Sequence, residues 1–516
     1  MKKVLLLNAI FFALCFSVSA QEKKSIEPAA KIDNQLDSAV VNYKKQQRSI
    51  TYGSVTVEGK QINYQAIAGS LVFRNGADTP IISMSYIAYF KRDEDASKRP
   101  VTFIYNGGPG SATIWLHMGA WGPQRVYLND TMRTRAPYKT VNNDYSLLDA
   151  SDLVFIDAPG TGFGQVITKE LGGAGETKDF FGIDQDGRAF ASFITKFISD
   201  YNRWNSPKYL FGESYGTFRS AVVANILETN NGVSLNGIIL LSQLLTYGNM
   251  TEITTENPGD GLPFELVLPS YAATAWYHHK LPNQPQNLES FLNDVQNFAL
   301  NEYAVALNKG ALLDSASFNQ IAEKLHEYIG LPVEYIRKAN LRINGPQFEQ
   351  ALLGDQSQIT GRLDSRFSGA AIDPLSEYAQ YDPMDSYIDG AFTATFNDYV
   401  RTTLKYGIGM NFKVYGNVNP WDFKRQGYVG FPNVMNDLAQ AMIYNPDMKV
   451  MLNMGYFDLG TPYFEGEYEM HHLPMPASLQ KNIEYAHYYS GHMVYLHPES
   501  LKLLHDNVAK FINSSH

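Results

Sequence analysis

An α/β fold, with a mostly parallel central sheet flanked by helices and capped by a largely helical insertion, is predicted by three observations. Short apolar runs at 101–105, 153–157, 208–211 and 238–241 read as strands buried on both faces. Helical patterns at 185–202 and 215–228 fall between them, and strand-helix alternation implies a parallel sheet covered on both sides. From about 250 to 430 helical patterns take over, and strand-like runs return only at 449–453 and 483–489.

The elements follow in order. Met1-Lys2-Lys3 is a basic start, 4–18 is apolar, and Val18-Ser19-Ala20 offers a small-residue cleavage site before Gln21. Residues 1–20 are therefore expected to be a signal peptide, and the chain to be periplasmic or extracellular. The apolar run is short for a bilayer and Gln21-Glu22-Lys23-Lys24 stops it, so no stable membrane anchor is expected. Residues 21–48, polar and lysine-rich, read as a mobile lead-in. A first part of the core is expected over 49–250. It opens with period-two strands at 54–57, 69–74 and 81–91, separated by turn residues. The cap insertion is expected over 251–430, with no buried strand of its own. Residues 287–309 put Leu288, Phe291, Leu292, Val295, Phe298 and Ala299 on one helical face and stop at Gly310. Helices are also expected at 317–328, ended by Gly330, and at 377–404. Residues 431–516 return to the core and close on an amphipathic helix at 498–512.

Charge and cysteine usage narrow the function. Loss of Lys2 and Lys3 with the leader leaves 40 basic against 52 acidic side chains, a net charge of −12. That excess opposes nonspecific binding to nucleic acid or anionic lipid. The sole cysteine, Cys15, lies inside the leader behind Leu14, where a lipidated cysteine would need a small neighbour. The mature chain is thus expected to have no disulfide, no thiolate nucleophile and no cysteine-held metal. No metal and no cofactor is expected.

Gly212-Glu213-Ser214-Tyr215-Gly216 matches the G-x-S-x-G nucleophile elbow. The pattern follows from chemistry: the serine must sit on a strained strand-to-helix turn that lifts its hydroxyl off the sheet, and only small flanking residues allow strand and helix so close. The pentapeptide alone is a weak signal. Its setting, with strand 208–211 before it and helix 215–228 after it, favours the elbow over a plain Gly-Ser turn. Ser214 is the candidate nucleophile of an α/β-hydrolase fold. Asn106-Gly107-Gly108-Pro109-Gly110 follows the buried run 101–105 and can supply an oxyanion hole from Gly108, with the Tyr215 N–H as second donor. The rival readings are a plain Gly-rich turn and a phosphate loop, the latter lacking both a G-K-[ST] continuation and a G-x-G-x-x-G pattern.

These segments resemble the serine carboxypeptidase family. Asn106 to Gly110 is similar to its N-G-G-P-G loop and Gly212 to Tyr215 to its G-E-S-Y segment. Asp157 to Phe163 is similar to its D-x-P-x-G-x-G-[FY] loop, one residue shorter, and Gly491-His492-Met493-Val494 to its G-H-M-V segment. In an α/β-hydrolase the acid and the histidine follow the serine. The residue pattern alone leaves His492 open against His471, His472, His487, His497, His505 and His516, which read as surface or packing histidines. The resemblance selects His492. Asp458 runs off the end of strand 449–453, where a carboxylate can accept the imidazole N–H. It also matches the family's aspartate. Asp422 and Asp437 read as solvated charges.

The resemblance further implies a carboxypeptidase acting on peptide substrates. Asn106, Gly107 and Glu213 would bind the substrate's C-terminal carboxylate. A glutamate can do so only while a proton is shared, so activity is expected to be favoured at acidic pH. Two departures stand out. Many members carry a supporting glutamate where this chain has Ala120, and relatives with disulfides carry a cysteine where it has Ser111. For Glu213 the rival reading is a helix-start carboxylate favoured by the dipole. For the whole chain the rivals are another serine acyl hydrolase (esterase, acyltransferase or N-terminal, proline-type peptidase) and an inactive hydrolase-fold binding protein.

Overall fold

A computed structural model of the chain describes residues 42–515 apart from 254, 255 and 426. The leader, Cys15 and most of the lead-in lie outside the described residues. Three long antiparallel strands open the sheet: β1 (Arg48–Val57), β2 (Lys60–Arg74) and β3 (Pro80–Lys91). The runs expected at 54–57 and 69–74 are the C-terminal parts of the first two. β1 and β2 are joined by Glu58 and Gly59, both at positive φ (47° and 79°), the turn geometry that matches strand twist in a tight hairpin.

The remaining strands are β4 (Val101–Tyr105), β5 (Asp152–Ile156), β6 (Lys208–Glu213), β7 (Gly237–Leu241), β8 (Lys449–Gly455) and β9 (Ile483–Tyr488). They lie in the order β1-β2-β3-β5-β4-β6-β7-β8-β9, and the short strand Gln165–Val166 also pairs with β3. From β5 onward every neighbour is parallel. The four apolar runs of the sequence are buried throughout, except that the run at 153–157 ends on a part-buried Asp157. Alternate residues of one strand feed two cores: Phe103, Val154, Leu210 and Ile238 face one way, and Ile104, Phe155, Phe211 and Ile239 the other.

Helices α1 (Ile183–Asp200) and α2 (Tyr215–Thr229) fill the first core with Phe190, Ile194, Phe218 and Val223. Between β7 and β8 the chain adds α3 (Leu262–Tyr277), α4 (Leu288–Phe298), α5 (Ser315–Ile329) and α6 (Pro383–Thr402). The helix expected across 287–309 is interrupted by a π turn, Ala299–Tyr303, before Ala304–Lys309. The helix expected from 377 starts at Pro383 instead. Proline disfavours helix before it, and Asp382 caps the end by accepting the Met384 N–H at 2.8 Å. A two-stranded ribbon, Gln358–Thr360 with Ser368–Ala370, buries Ile359. At three residues a strand, it is too short to leave a period in the sequence. The chain closes with α7 (Met435–Tyr444), α8 (Tyr463–His471) and α9 (Pro498–Ser514). Among the described residues no helix is long and apolar enough to cross a membrane.

Candidate active site

Ser214 sits between the end of β6 and the start of α2 with φ 60° and ψ −131°, a strained region for a residue with a side chain. In an otherwise buried run from 208 to 224 it alone reaches solvent. The glycines of the elbow are there for space. A side chain on Gly212 would run into the Gly216 carbonyl, and one on Gly216 would come within 2.9 Å of the Tyr105 carbonyl.

The loop after β4 leans on the same turn. A Cβ on Gly107 would lie 2.5 Å from the Tyr215 nitrogen and 2.9 Å from that of Gly216. Gly108 follows at φ 110°, a conformation that favours glycine. Asn106 is held at both ends: its Oδ1 accepts the Leu116 N–H at 3.1 Å, and its carbonyl accepts Arg219 Nη1 at 2.7 Å. Arg219 is buried in α2 and paired with Asp186 at 2.6 Å. Gly107 thus lies beside the first N–H groups of α2, where anions are favoured.

Asp458 follows β8 and is fully buried. Its Oδ1 accepts the N–H groups of Gly460 (2.8 Å) and Thr461 (3.0 Å), and its Oδ2 accepts the Thr461 hydroxyl (2.6 Å). His492 Nδ1 lies 2.7 Å from the same Oδ2. Burial pushes the imidazolium down, but the Asp458 charge and hydrogen bond outweigh it, so His492 titrates above its ordinary value. The neighbouring residues Leu241 and Ser242 tether both partners of the proposed relay. The Ser214 N–H donates to the Leu241 carbonyl at 3.0 Å, and Ser242 Oγ donates to the His492 carbonyl at 2.6 Å.

Glu213 ends β6 in the interior. Its Oε2 accepts the Tyr495 hydroxyl at 2.9 Å, and Asn106 also hydrogen-bonds it. Burial raises its carboxyl to about 7 against the opposing pull of His492, Tyr495 and Asn106. Ala120 lies buried in a π turn, Leu116–Trp121, where a Cβ on the adjacent Gly119 would come 2.6 Å from the Tyr495 ring. Tyr495, the hydroxyl partner of Glu213, thus packs against the turn that carries Ala120.

Elsewhere the sequence reading needs one correction. Asp437, read as solvated, is buried and paired with Arg425 at 2.5 Å. Among the other described histidines, His471 and His472 are exposed, His487 pairs with Glu467 at 3.1 Å and His505 with Asp149 at 3.2 Å. His497 caps α9, and His516 lies outside the described residues. Among the described residues, Glu58, His505 and Asp506 bring three ligand-type atoms within 4.8 Å, but His505 and Asp506 are already paired, Asp506 with Lys502. Sequence reasoning does not single out Tyr495, Arg219, Thr461 or Ser242. Only Arg219 leaves a signal, a cation in the otherwise apolar helix pattern 215–228.

A family model described as serine carboxypeptidase matches residues 82–494. The chain belongs to the serine carboxypeptidase family. A curated relative, the pheromone-processing carboxypeptidase KEX1 of Phytophthora infestans, is 28% identical over 155 residues, 28% of this chain. The chain spans 23% of that relative's length. The crystal structure of Kex1(delta)p, a prohormone-processing carboxypeptidase from Saccharomyces cerevisiae, superposes with a TM-score of 0.52 at 17% identity, covering 87% of this chain and 91% of that one. At that identity the likeness speaks for a common fold. In this member of the serine carboxypeptidase family, the four family-like segments 106–110, 157–163, 212–215 and 491–494 begin at or just beyond the C-terminal ends of β4, β5, β6 and β9. That is the edge of an open α/β sheet where ligands bind.

Proposed function

We propose that the chain is an exported serine carboxypeptidase, with Ser214 as nucleophile, His492 as general base and acid, and Asp458 as the group that holds the imidazole. Ser214 Oγ attacks the last peptide carbonyl while His492 takes its proton. The N–H groups of Gly108 and Tyr215 receive the developing oxyanion, each such donor being worth on the order of 10²–10³ in rate. His492 then protonates the departing amino acid, and water resolves the acyl-enzyme by the same route in reverse. Asn106, Gly107 and Glu213 bind the substrate's terminal carboxylate. The leader pattern of residues 1–20 supports export to the periplasm or beyond, and residues 251–430 serve as the cap over the site.

The single observation that carries the exopeptidase reading is a buried carboxyl, Glu213, raised to about 7 and lying one residue from the elbow serine. Below that value Glu213 holds a proton and can donate to a carboxylate. Above it two like charges would face each other, and binding is lost. Activity on a free C-terminus should therefore fall as pH rises through about 7, while protonation of His492 sets the acidic limb. The test compares a blocked dipeptide with its C-terminal amide from about pH 4 to 8, using wild type and Ser214→Ala. The free acid should be cleaved and the amide spared, and Ser214→Ala should lose a factor on the order of 10⁴ or more. Equal cleavage of acid and amide, or a flat profile across that range, overturns the reading.

A further inference from the structure

Residues 362–366, far from the elbow in sequence, thread between the two loops that carry Asp458 and His492. Their main chain serves both sides. The Leu459 N–H donates to the Arg362 carbonyl at 3.0 Å, the Ser365 N–H to the Phe457 carbonyl at 2.9 Å, and the His492 N–H to the Leu363 carbonyl at 2.6 Å. From the middle of this segment the Asp364 side chain reaches the residue before His492, its Oδ2 accepting the Gly491 N–H at 3.2 Å. The fit is close: a Cβ on Gly491 would lie 2.5 Å from that of Asp364. Asp364 is fully buried, and its charge is met by Arg366 through Nε at 3.0 Å and Nη2 at 2.6 Å. Arg366, itself buried, also reaches Ser490 Oγ at 3.3 Å and Asp130 at 3.2 Å.

A buried ion pair is weak as a source of stability, since an apolar pair of similar shape often does as well. What this pair does have is position: it touches Ser490 and Gly491, the two residues that lead into His492. We propose that Asp364, clamped by Arg366, is a positioning residue that fixes His492 against Asp458 by holding the Gly491 N–H. The inference rests on the proposed triad. The charges that weigh most on His492 are Asp458, Glu213 and Arg362, with Asp385 of α6 also facing it. The contact that Asp364 makes toward the imidazole runs through the chain, by way of Gly491.

Two variants test it on the full chain. Asp364→Leu with Arg366→Met replaces the pair by apolar groups, and Arg366→Lys keeps the charge but gives up the fork. Each is followed by thermal melting, by the rate of Ser214 labelling with a fluorophosphonate, by kcat and KM, and by the low-field proton resonance of His492 Nδ1–H. The paired variant should melt within a few degrees of wild type. Its labelling rate and kcat should drop by about 10- to 100-fold at unchanged KM, with the resonance broadened or lost, because small misplacements of a reacting group cost rate steeply. Arg366→Lys should lose about 3- to 10-fold in the same measures. Wild-type labelling and an unaltered resonance in either folded variant overturn the proposal. If wild type itself neither labels nor cleaves, the triad reading has failed instead. The resonance, which needs no turnover, still reads the positioning.

Discussion

Glu213 and Tyr495 show how one hydroxyl can set a pH limit. The Tyr495 O–H donates to Glu213 at 2.9 Å, and a hydrogen bond to a carboxylate favours its ionised form. Tyr495→Phe removes that bond, so Glu213 should keep its proton to higher pH. The alkaline limb of kcat/KM for a free-acid peptide should move upward, by about half a unit to one unit. Glu213→Gln, which never ionises, should abolish that limb altogether. A downward shift in Tyr495→Phe would contradict the assignment. At this scale the sequence is legible where chemistry is local. Ser214 and Glu213 share one pentapeptide, and Asp458 and His492 each follow a recognisable strand or glycine. Tyr495 is not legible, because its partner lies 282 positions away. Asp437 misleads for a different reason: its partner Arg425 is only 12 positions away but is part of no pattern.

Among the elements, the turn between β6 and α2 and the loop after β4 act as one unit, since neither leaves room for a side chain in the other. Gly107→Ala would place a methyl 2.5 Å from the Tyr215 nitrogen. The loop must retreat, and the proposed oxyanion donors go with it. A fall in kcat of about 10²–10³-fold is expected, with a smaller change in KM, measured by steady-state kinetics on a blocked dipeptide. Wild-type kcat in a folded Gly107→Ala enzyme would break the link between this loop and the elbow. The buried strands are the most legible elements, because a short chain segment that is apolar on both faces must be covered on both, and a parallel sheet between helices does that. Breaks inside helices are the least legible: the π turn at Ala299–Tyr303 keeps the apolar spacing, and the pattern reads straight through it.

At the level of the molecule, the helices between β7 and β8 are not a separate globule on a finished sheet. Leu266, Leu292 and Leu325 of those helices join the core that holds Phe103 and Leu210, and Phe392 and Phe396 of α6 join the opposite one. Apolar contact is continuous between them and the sheet, so one cooperative thermal transition is expected by calorimetry, and two resolved transitions would contradict it. The sequence shows a change of period near residue 250 but cannot reveal this sharing, which depends on which faces meet. The tether at Leu241 and Ser242 has a mechanical consequence. The proposed nucleophile and its base hang from adjoining residues where β7 ends, 3.0 and 2.6 Å from their anchors. A displacement of that one stretch of backbone pulls on both proposed partners together rather than on either alone.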